Sequence, residues 1–368
     1  MDQLFDLLHQ HDVEQVVVVH HRESGLRGFI VIHDTSLGPA VGGTRLLPVK
    51  SLEAALSEAI RSAHAATDTL ALAGIPAGGA AAVLINHDGL SRTDALTVFA
   101  AHVRTLGGRF ITWRDEGLTR QDAWRLHAHC EWFADERLEG LGDLEAAAAL
   151  SVAQSILGAL EANDRPIALQ GMHVVLQHLV GRGGVLARVL AQAGASITAS
   201  DETVAGDRVA RELGVATITP EEVFELPSDI VVLTSVTDEV FAEDTLDLLR
   251  GRIICDASTR PDLPASKLRE LQELEITWVP GFLCNAGPLI VVAGHTLTGR
   301  KNWDTTILAM RETTRELLRE SRETGVPADE LARKKAKKLL RRPRTANDIF
   351  LPHGLHPVAH AHAHDKTA

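Results

Sequence analysis

Short apolar runs alternate with polar segments over the first 145 residues. Runs rich in β-branched residues predict strands at 16–19 (VVVV), 29–32 (FIVI), 81–85 (AAVLI) and 110–112 (FIT). A helix is predicted between the second and third of these runs, because apolar residues recur there at helical spacing: Leu52, Ala55, Leu56, Ala59, Ile60 and Ala63. Ser51 suits the N-cap and Glu53 suits the first turn. This helix should cover the first sheet.

A second series of strands and helices follows an Ala-rich helix and the helix-breaking sequence NDRP at 163–166. Strands are predicted at 173–177 (HVVLQ) and 196–200 (SITAS), and within 229–235 (DIVVLTS), 253–258 (IICDAS) and 276–280 (ITWVP). A Gly-rich turn and the helix VLARVLAQAG (185–194) separate the first two of these strands. This order predicts parallel crossovers and a doubly wound sheet.

The chain is therefore predicted to be an α/β protein of two domains with a cleft between them. The first domain should span residues 1–145 and the second residues 146–323, with a helix from about Asp304 to Glu323. Residues 324–340 should return to the first domain. Residues 341–368 are predicted to be a flexible, His-rich tail.

Composition is that of a globular protein and narrows the possible partners. Of 368 residues, 45% are hydrophobic and 23% are charged, and the sequence contains no stretch of about 20 apolar residues, the length needed to cross a membrane. The acidic N-terminus is unlike a signal peptide, so we expect a cytoplasmic protein without a membrane partner. A net charge of −12 and the absence of Tyr argue against nucleic acid. Three widely spaced cysteines predict reduced thiols.

The segment LGPAVGGTRLLP (37–48) concentrates glycine and proline, including Gly42 and Gly43. It predicts a loop whose backbone N–H groups approach a ligand closely, although an ordinary turn has the same composition. Three further motifs follow in order: LAGIPAGGAAAVLI (72–85), GGRFITWRDEG (107–117) and PGFLCNAGPLIVVAG (280–294).

These four motifs, in this order and spacing, resemble those of the glutamate, leucine, phenylalanine and valine dehydrogenases, and most closely the leucine, phenylalanine and valine branch. The resemblance covers roughly residues 13 to 340. It implies a catalytic and dimerisation domain, a Rossmann domain, and NAD-dependent oxidative deamination of an L-amino acid in the cleft. It also implies a substrate cleft formed by Gly42, Gly43, Gly78, Gly79, Trp113, Arg114, Asn285 and Leu289.

The residues that perform the family's chemistry are only partly present. By the resemblance, Ala81 takes the position of the lysine with a lowered pKa, and Thr69 takes that of the lysine that binds the substrate carboxylate. Asp115 matches the aspartate that handles protons on the substrate amine, although Trp113 and Arg114 replace a small and an acidic residue beside it. No lysine occurs between Lys50 and Lys267. Arg45, Arg61 and His64 could instead anchor an anion or have structural roles.

The predicted dinucleotide turn is altered as well. His178, Val180 and Gly183 stand where the three glycines of Gly-x-Gly-x-x-Gly are expected, with Gly181 and Arg182 between them. Val180 would put a branched side chain where the second glycine admits the pyrophosphate. Asp201 ends the next strand, where an acidic residue would hold the ribose, or is simply a surface acid. Arg182 could contact a phosphate or be a solvated residue at the helix start. NAD(P) is thus expected to bind weakly or not at all.

Other positions near the expected nicotinamide pocket also depart from the family. The segment 235–240 (SVTDEV) replaces a small, Gly-rich loop, and Pro288 replaces the glycine after Gly287. At the C-terminal end, the basic block at 333–344 could contact an acidic partner or form a solvated helix face. Histidines near the terminus could bind a divalent metal adventitiously, but no metal site is predicted: His353, His356, His360, His362 and His364.

Two functional hypotheses remain open. The chain is either a non-catalytic or repurposed relative that binds a small molecule in the cleft, or a diverged NAD(P)-dependent oxidoreductase that reduces an imine or a related amino-acid-derived substrate. In the first case it could pair with an active paralogous subunit. The resemblance also implies a homo-oligomer formed through the first domain.

Overall fold

The computed structural model describes residues 2–137, 140–234, 249–258 and 263–340. The first domain contains six strands: β1 (Gln15–His21), β2 (Leu26–Ile32), β3 (Ala40–Leu47), β4 (Gly78–Ile85), β5 (Phe110–Arg114) and β6 (Phe133–Ala134). Its helices are α1 (Asp2–Gln10), α2 (Leu52–Leu72), α3 (Arg92–Thr105) and α4 (Arg120–His129). The strands form one sheet in the order β1-β2-β4-β3-β5-β6.

This first sheet is mixed. Strand β2 pairs antiparallel with β1 and with β4, whereas β3 pairs parallel with β4 and with β5. Strand β1 therefore lies at one edge, and β3 lies in the interior of the sheet. Because β3, β4 and β5 run in parallel, their carboxyl ends meet at the same side of the sheet, where Arg45 and Asp115 come together.

The prediction of a loop at 37–48 is wrong, because residues 40–47 form the interior strand β3. Glycine is needed there for close packing. A Cβ atom on Gly42 would lie 1.5 Å from the carbonyl oxygen of Ala80 on the neighbouring strand. Composition suggested a turn, but the absent side chains allow two strands and the loop after β5 to approach each other.

Helix α2 confirms the predicted cover of the first sheet and is longer than the pattern suggested. The Ser51 side chain accepts a hydrogen bond from the backbone N–H of Ala54, as an N-cap residue does. Ala55, Ala59 and Ala63 are fully buried against the sheet. Leu52, predicted on the same face, is 55% exposed because it lies in the first turn, beyond the edge of the covered surface.

The second domain is built on a parallel sheet in the order β12-β11-β10-β7-β8-β9. Its strands are β7 (His173–Leu176), β8 (Ser196–Ser200), β9 (Ala216–Ile218), β10 (Ile230–Leu233), β11 (Ile253–Asp256) and β12 (Thr277–Val279). The helices up to β12 are α5 (Leu144–Ala162), α6 (Arg182–Gln192), α7 (Val204–Leu213), α8 (Glu222–Glu225) and α9 (Ala265–Glu273). The predicted doubly wound, Rossmann-like sheet is confirmed, while β9 was not predicted.

Helices after β12 connect the two sheets: α10 (Gly281–Cys284), α11 (Ala286–Thr298), α12 (Asp304–Thr324) and α13 (Ala328–Leu340). Side chains of α11 and α13, including Ile290 and Ala332, belong to the core that packs on the first sheet. Helix α5 contributes Leu144 to that core and Val152 to the core of the second sheet. The expected boundary at 145/146 thus falls within one continuous helix.

Helix α5 also bears on the membrane prediction. By length and composition it could span a membrane, although polar residues such as Ser151 and Gln154 interrupt its apolar sequence. However, 72% of its most apolar 18-residue window is buried inside the protein, as in the core helix of a soluble domain. The three cysteines, Cys130, Cys255 and Cys284, are free and buried.

Candidate functional site

A cleft of about 120 Å³ lies where the first sheet faces the second domain. The first domain contributes residues from β3, α2, β4 and β5 and the residue after β5: Gly42, Gly43, Arg45, Glu58, Arg61, Ser62, Ala65, Ala66, Thr69, Ala80, Ala81, Trp113 and Asp115. The second side is formed by Arg182, Ser258, Gly281, Phe282, Asn285, Pro288 and Leu289. Segments of the chain that are more than 200 residues apart thus line one cleft.

Helix α2 supplies one face of the cleft. Its lining residues are spaced three and four apart, which places them on one side of the helix: Glu58, Arg61, Ser62, Ala65, Ala66 and Thr69. Other side chains of the helix, such as Ala59 and Ile60, belong to the core beneath. Glu58 and Ser62 were not singled out from the sequence, although their spacing from Arg61 and Thr69 was visible there.

Arg45 is the centre of a buried ion-pair network. Its Nε donates to Oδ2 of Asp115 at 2.8 Å, and its Nη1 donates to Oε1 of Glu58 at 2.5 Å and to Oγ of Ser62 at 3.0 Å. Arg61 forms a further ion pair with the other carboxylate oxygen of Glu58. Arg45 is only 9% exposed, so these contacts compensate a charge that water reaches poorly. Both carboxylates of the cleft are therefore engaged by guanidinium groups.

This network sets the protonation state of Asp115. Burial alone would raise the pKa of this carboxyl group, but Arg45 and, beyond it, Arg182 outweigh burial and lower the pKa below its ordinary value. Asp115 is thus ionised at neutral pH and is already paired. A carboxylate in this state is a weaker proton acceptor than an unpaired one.

Thr69 and Ala81 both line the cleft, and both are only 2% exposed. The Thr69 hydroxyl lies 2.9 Å from the carbonyl oxygen of Ala65 and 3.0 Å from that of Phe282. The second contact links α2 to α10 across the cleft. Ala81 presents a methyl group. Neither position supplies an ionisable group.

The four glycines assigned to the cleft have different surroundings. Gly42 and Gly43 line it, and a Cβ atom on Gly43 would lie 2.7 Å from Oδ2 of Asp115. Gly78 and Gly79 precede Ala80 in β4 and are not among the lining residues. There a Cβ atom would meet the Asp34 carbonyl oxygen at 1.6 Å and the Thr67 amide nitrogen at 2.2 Å, respectively. Gly78 and Gly79 therefore allow close packing of the backbone.

Trp113 and Arg114 point to different environments although they are adjacent on β5. Trp113 is buried and lines the cleft. Arg114 is not among the lining residues. Its guanidinium binds Glu136 at 3.0 Å and Glu145 at 3.4 Å. Burial lowers the pKa of Arg114, but Glu136 and Glu145 raise it above its ordinary value.

The turn from β7 into α6 contains His178, Val180, Gly181 and Gly183. Gly181 has a positive φ of 68° and caps α6. A Cβ atom on Gly183 would lie 1.9 Å from the carbonyl oxygen of His178, so this glycine lets the helix approach the strand, as the third glycine of a Rossmann turn does. Val180 is 48% exposed at the surface of the turn.

Asp201 faces this turn and is not directed to solvent. Its Oδ2 accepts the backbone N–H groups of Leu179 at 3.0 Å and Val180 at 3.1 Å, and its Oδ1 accepts the N–H and the hydroxyl of Thr203. The side chain is buried, which would raise its pKa, but bonds from Thr203 and Leu179 lower it. Asp201 thus stabilises the turn and accepts hydrogen bonds from two of its backbone N–H groups.

Arg182 extends from the first turn of α6 into the cleft. Its Nη1 donates to Oδ1 of Asn285 at 2.6 Å and to the carbonyl oxygen of Ala257 at 3.2 Å. The Asn285 amide in turn donates to the carbonyl oxygen of Ser258 at 2.6 Å. Asn285 and Leu289 both line the cleft. Arg182 is the member of the predicted dinucleotide turn that reaches it.

The remaining candidates lie elsewhere. His64 pairs with Asp68 at 3.3 Å and packs edge-on against His33 outside the cleft lining. Within the described ranges, no group of three or more His, Cys, Asp or Glu residues could hold a metal ion. The segment 235–240, the end of the basic block and the His-rich tail lie outside the described residues.

Comparisons with known proteins identify relatives over most of the chain. A family model described as Glu/Leu/Phe/Val dehydrogenase, dimerisation domain, matches residues 11–137. The L-tryptophan dehydrogenase of Nostoc punctiforme is 32% identical over 292 residues, which are 78% of this chain and 82% of that protein. The leucine dehydrogenase of Bacillus subtilis (strain 168) is 26% identical over 96% of this chain and 98% of its own.

A solved structure has the same architecture. The crystal structure of L-tryptophan dehydrogenase from Nostoc punctiforme superposes with a TM-score of 0.73 at 28% identity and covers 92% of this chain and 98% of that one. The fold is therefore shared with an amino-acid dehydrogenase.

Proposed function

This chain belongs to the Glu/Leu/Phe/Val dehydrogenase family, and from that premise we propose that it binds a small molecule in the cleft without performing the family's oxidation. The observation that carries the proposal is the state of the ionisable groups there. Asp115 is paired with Arg45, and the two positions assigned by resemblance to lysines hold Thr69 and Ala81. Oxidative deamination needs a proton acceptor and a fixed cation for the substrate carboxylate at those places.

The surroundings of the predicted dinucleotide turn support weak or absent NAD(P) binding. Val180 adds a side chain where the pyrophosphate would approach the backbone. Asp201, the candidate for the ribose, uses both carboxylate oxygens to hold the turn and Thr203. Arg182 extends into the cleft and bonds Asn285. These residues do not fit a dinucleotide held in the family's manner.

The test is a direct assay of the family reaction. The purified protein is incubated with NAD at alkaline pH and Leu, Val, Ile, Phe, Glu or Trp, and NADH is followed by absorbance. The leucine dehydrogenase of Bacillus subtilis serves as the positive control for Leu. We expect no NADH above the rate without amino acid, and formation of NADH with any of the six amino acids would refute the proposal.

A second candidate function is a diverged NAD(P)-dependent oxidoreductase that reduces an imine or a related amino-acid-derived substrate. It is favoured by Asp115 and Asn285, which still match the family motifs and line the same cleft. Such a substrate already contains an electrophilic carbon and needs neither lysine. Micromolar NAD or NADP binding in calorimetry, with Asp201→Ala weakening it, would favour this alternative over the non-catalytic one.

We also infer a cytoplasmic homo-oligomer that binds neither nucleic acid nor membranes. The matched residues 11–137 correspond to a domain described as a dimerisation domain, which supports self-association through the first sheet. Pairing with an active paralogous subunit would suit a chain without turnover. Light scattering of the purified protein would distinguish an oligomer from a monomer.

A further inference from the structure

We propose that residues 2–13, which comprise α1 and the turn after it, form a flap that detaches from the first domain at mildly acidic pH. The trigger is a pair of histidines beneath this N-terminal flap, His33 and His64. Neither histidine lines the cleft. The inference therefore goes beyond the proposed function and does not depend on it.

His33 lies directly after β2 and is only 6% exposed. Its Nδ1 lies 2.8 Å from the hydroxyl of Thr67 on α2, and that hydroxyl donates to the carbonyl oxygen of Ala63 at 3.2 Å. Because the hydroxyl has a single proton, Nδ1 is assigned as the protonated nitrogen and Nε2 as the unprotonated one. Among the described residues, Nε2 has no hydrogen-bond partner. A second proton on His33 would therefore enter a buried site in which Nε2 makes no hydrogen bond.

His64 adds a second imidazole to this site. Its ring packs edge-on against that of His33, with the ring centroids 4.5 Å apart. The Nδ1 of His64 lies 3.3 Å from Oδ2 of Asp68, and the side chain of His64 is 27% exposed. Asp68 and solvent can thus compensate a proton on His64. A charge there would oppose a second charge on His33.

Charged and titratable groups surround His33 from four elements. They are His11 and Asp12 of the flap, Asp34 after β2, His64 and Asp68 of α2, and Arg333 of α13, which acts on His11. Burial, and then His64, lower the pKa of His33 from 6.5 to about 3, while Asp34, Asp12 and the backbone of His11 offset this only in part. The closed form therefore holds His33 neutral.

The flap itself is held by few contacts. Leu7, Leu8 and Val13 are partly buried and pack on the core between α2 and the first sheet. Asp12 pairs with Lys337 at 3.2 Å, but both side chains are mostly exposed, so this pair contributes little. A helix of nine residues is not stable without such packing. The flap can therefore separate while the sheet stays folded.

Glu14 fixes the end of the segment that can detach. Its carboxylate accepts the backbone N–H of Thr35 at 2.8 Å and pairs with Arg109 at 2.9 Å. Its own N–H donates to the carbonyl oxygen of Ile32 at 3.1 Å. These contacts hold the start of β1 in place, so opening is confined to residues 2–13.

The direction of the pH effect follows from proton linkage. In the open form the pKa of a hydrated His33 returns towards 6.5, so the open form binds more protons than the closed form between that value and about 3. Opening is therefore favoured as the pH falls below 6.5. With a complete return to 6.5, the opening constant at pH 5 exceeds that at pH 7 by about 25-fold. This value is an upper limit, because α2 and β2 still flank His33 after the flap detaches.

Hydrogen exchange of backbone amides tests the proposal, followed by mass spectrometry on the full-length protein at pH 7, 6 and 5. After correction for the intrinsic exchange rate, protection of residues 5–13 should fall by about 5- to 25-fold between pH 7 and pH 5. Protection of α3 (Arg92–Thr105) should change by less than about twofold. Unchanged protection of the flap, or an equal loss in α3, would overturn the proposal, since an equal loss indicates global unfolding.

Variants identify the group that takes up the proton. His33→Asn keeps a side-chain amide near Thr67 but cannot titrate, so most of the pH dependence of flap protection should disappear, leaving the smaller contribution of His11. His129→Asn is the matched control, because His129 is exposed at the end of α4, and this variant should behave like the unmodified protein. A full pH dependence in His33→Asn would overturn the assignment.

A second measurement covers the case in which His33→Asn does not fold. Exchange of the imidazole C2 hydrogen, followed by mass spectrometry in the unmodified protein, gives the pKa of His33 directly. We expect a value below about 5, because the closed form excludes water from the ring. A pKa of His33 near its ordinary value would overturn the proposal.

Discussion

Replacing Arg45 by methionine should destabilise the protein by removing the centre of the ion-pair network in the cleft. Methionine keeps much of the side-chain volume, so the main loss is the charge that compensates Glu58 and Asp115. Removal of one member of a buried ion pair costs about 3–5 kcal/mol. Glu58 retains Arg61, whereas Asp115 loses its direct ion pair and keeps the more distant Arg182 and a backbone hydrogen bond from Glu116. We therefore expect Arg45→Met to lower the free energy of unfolding by about 3 kcal/mol, the lower end of this range.

Thermal and urea unfolding at neutral pH measure this loss, which corresponds to a fall in melting temperature of roughly 4 °C for a chain of this length. The matched control is Arg208→Met, which breaks an exposed pair with Glu212 and should change stability little. Equal stability of Arg45→Met and the unmodified protein would refute the view that the cleft carboxylates depend on Arg45.

The pH dependence gives a second check on the same variant. Because the folded pKa of Asp115 is lowered, its contribution to stability is fully present above the unfolded value, about 3.9, and is lost as the pH falls through the folded value. Without Arg45, burial should dominate and protonation should relieve the unpaired carboxylate at a higher pH. The stability difference between the two proteins should therefore narrow as the pH is lowered. A difference that is constant with pH would indicate a packing effect.

Three further outcomes are expected. Val180→Gly alone should not give micromolar NAD binding in calorimetry, because the Asp201 carboxylate still accepts the backbone N–H groups of the turn. Micromolar binding by this variant would contradict the prediction. Gly183→Ala should lower the free energy of unfolding by about 1–3 kcal/mol, since its Cβ would overlap the His178 carbonyl oxygen, and an unchanged urea midpoint would contradict that. Combining Thr69→Lys and Ala81→Lys with Val180→Gly should give a less stable protein without amino-acid oxidation; turnover with an unchanged melting temperature would show a merely decayed dehydrogenase site.

Much of the fold followed from local patterns, because most of the strands and the cover helix had an apolar pattern of their own. The parallel second sheet and the cover helix α2 are examples. Strand β3 was missed because glycine and proline normally indicate turns. Glycine is required at position 42 because the backbone of the neighbouring strand is so close that a Cβ atom there would lie 1.5 Å from it. Such a contact depends on tertiary packing and leaves no periodic signal.

The candidate site was predictable as a set of motifs but not as a charge network. Arg45 and Asp115 are separated by 70 positions in the sequence, so no local pattern predicts their ion pair. Spacing on α2 could have grouped Glu58 with Arg61 and Thr69. For Asp201, the sequence predicted the position at the end of a strand but not the contacts of the side chain. The direction of its carboxylate depends on the turn that it supports.

The charge network also gives a physical reason why lysines would be poorly tolerated at the positions of Thr69 and Ala81. Three guanidinium groups already face two carboxylates in the cleft. Two additional ammonium groups at positions that are only 2% exposed would raise the net charge from one to three without adding an acceptor. Either the lysines or the arginines can supply the cations of this cleft, but both sets together would repel each other in a poorly hydrated space. The arginine network and the uncharged residues at 69 and 81 therefore form one mutually consistent arrangement of charge in the cleft.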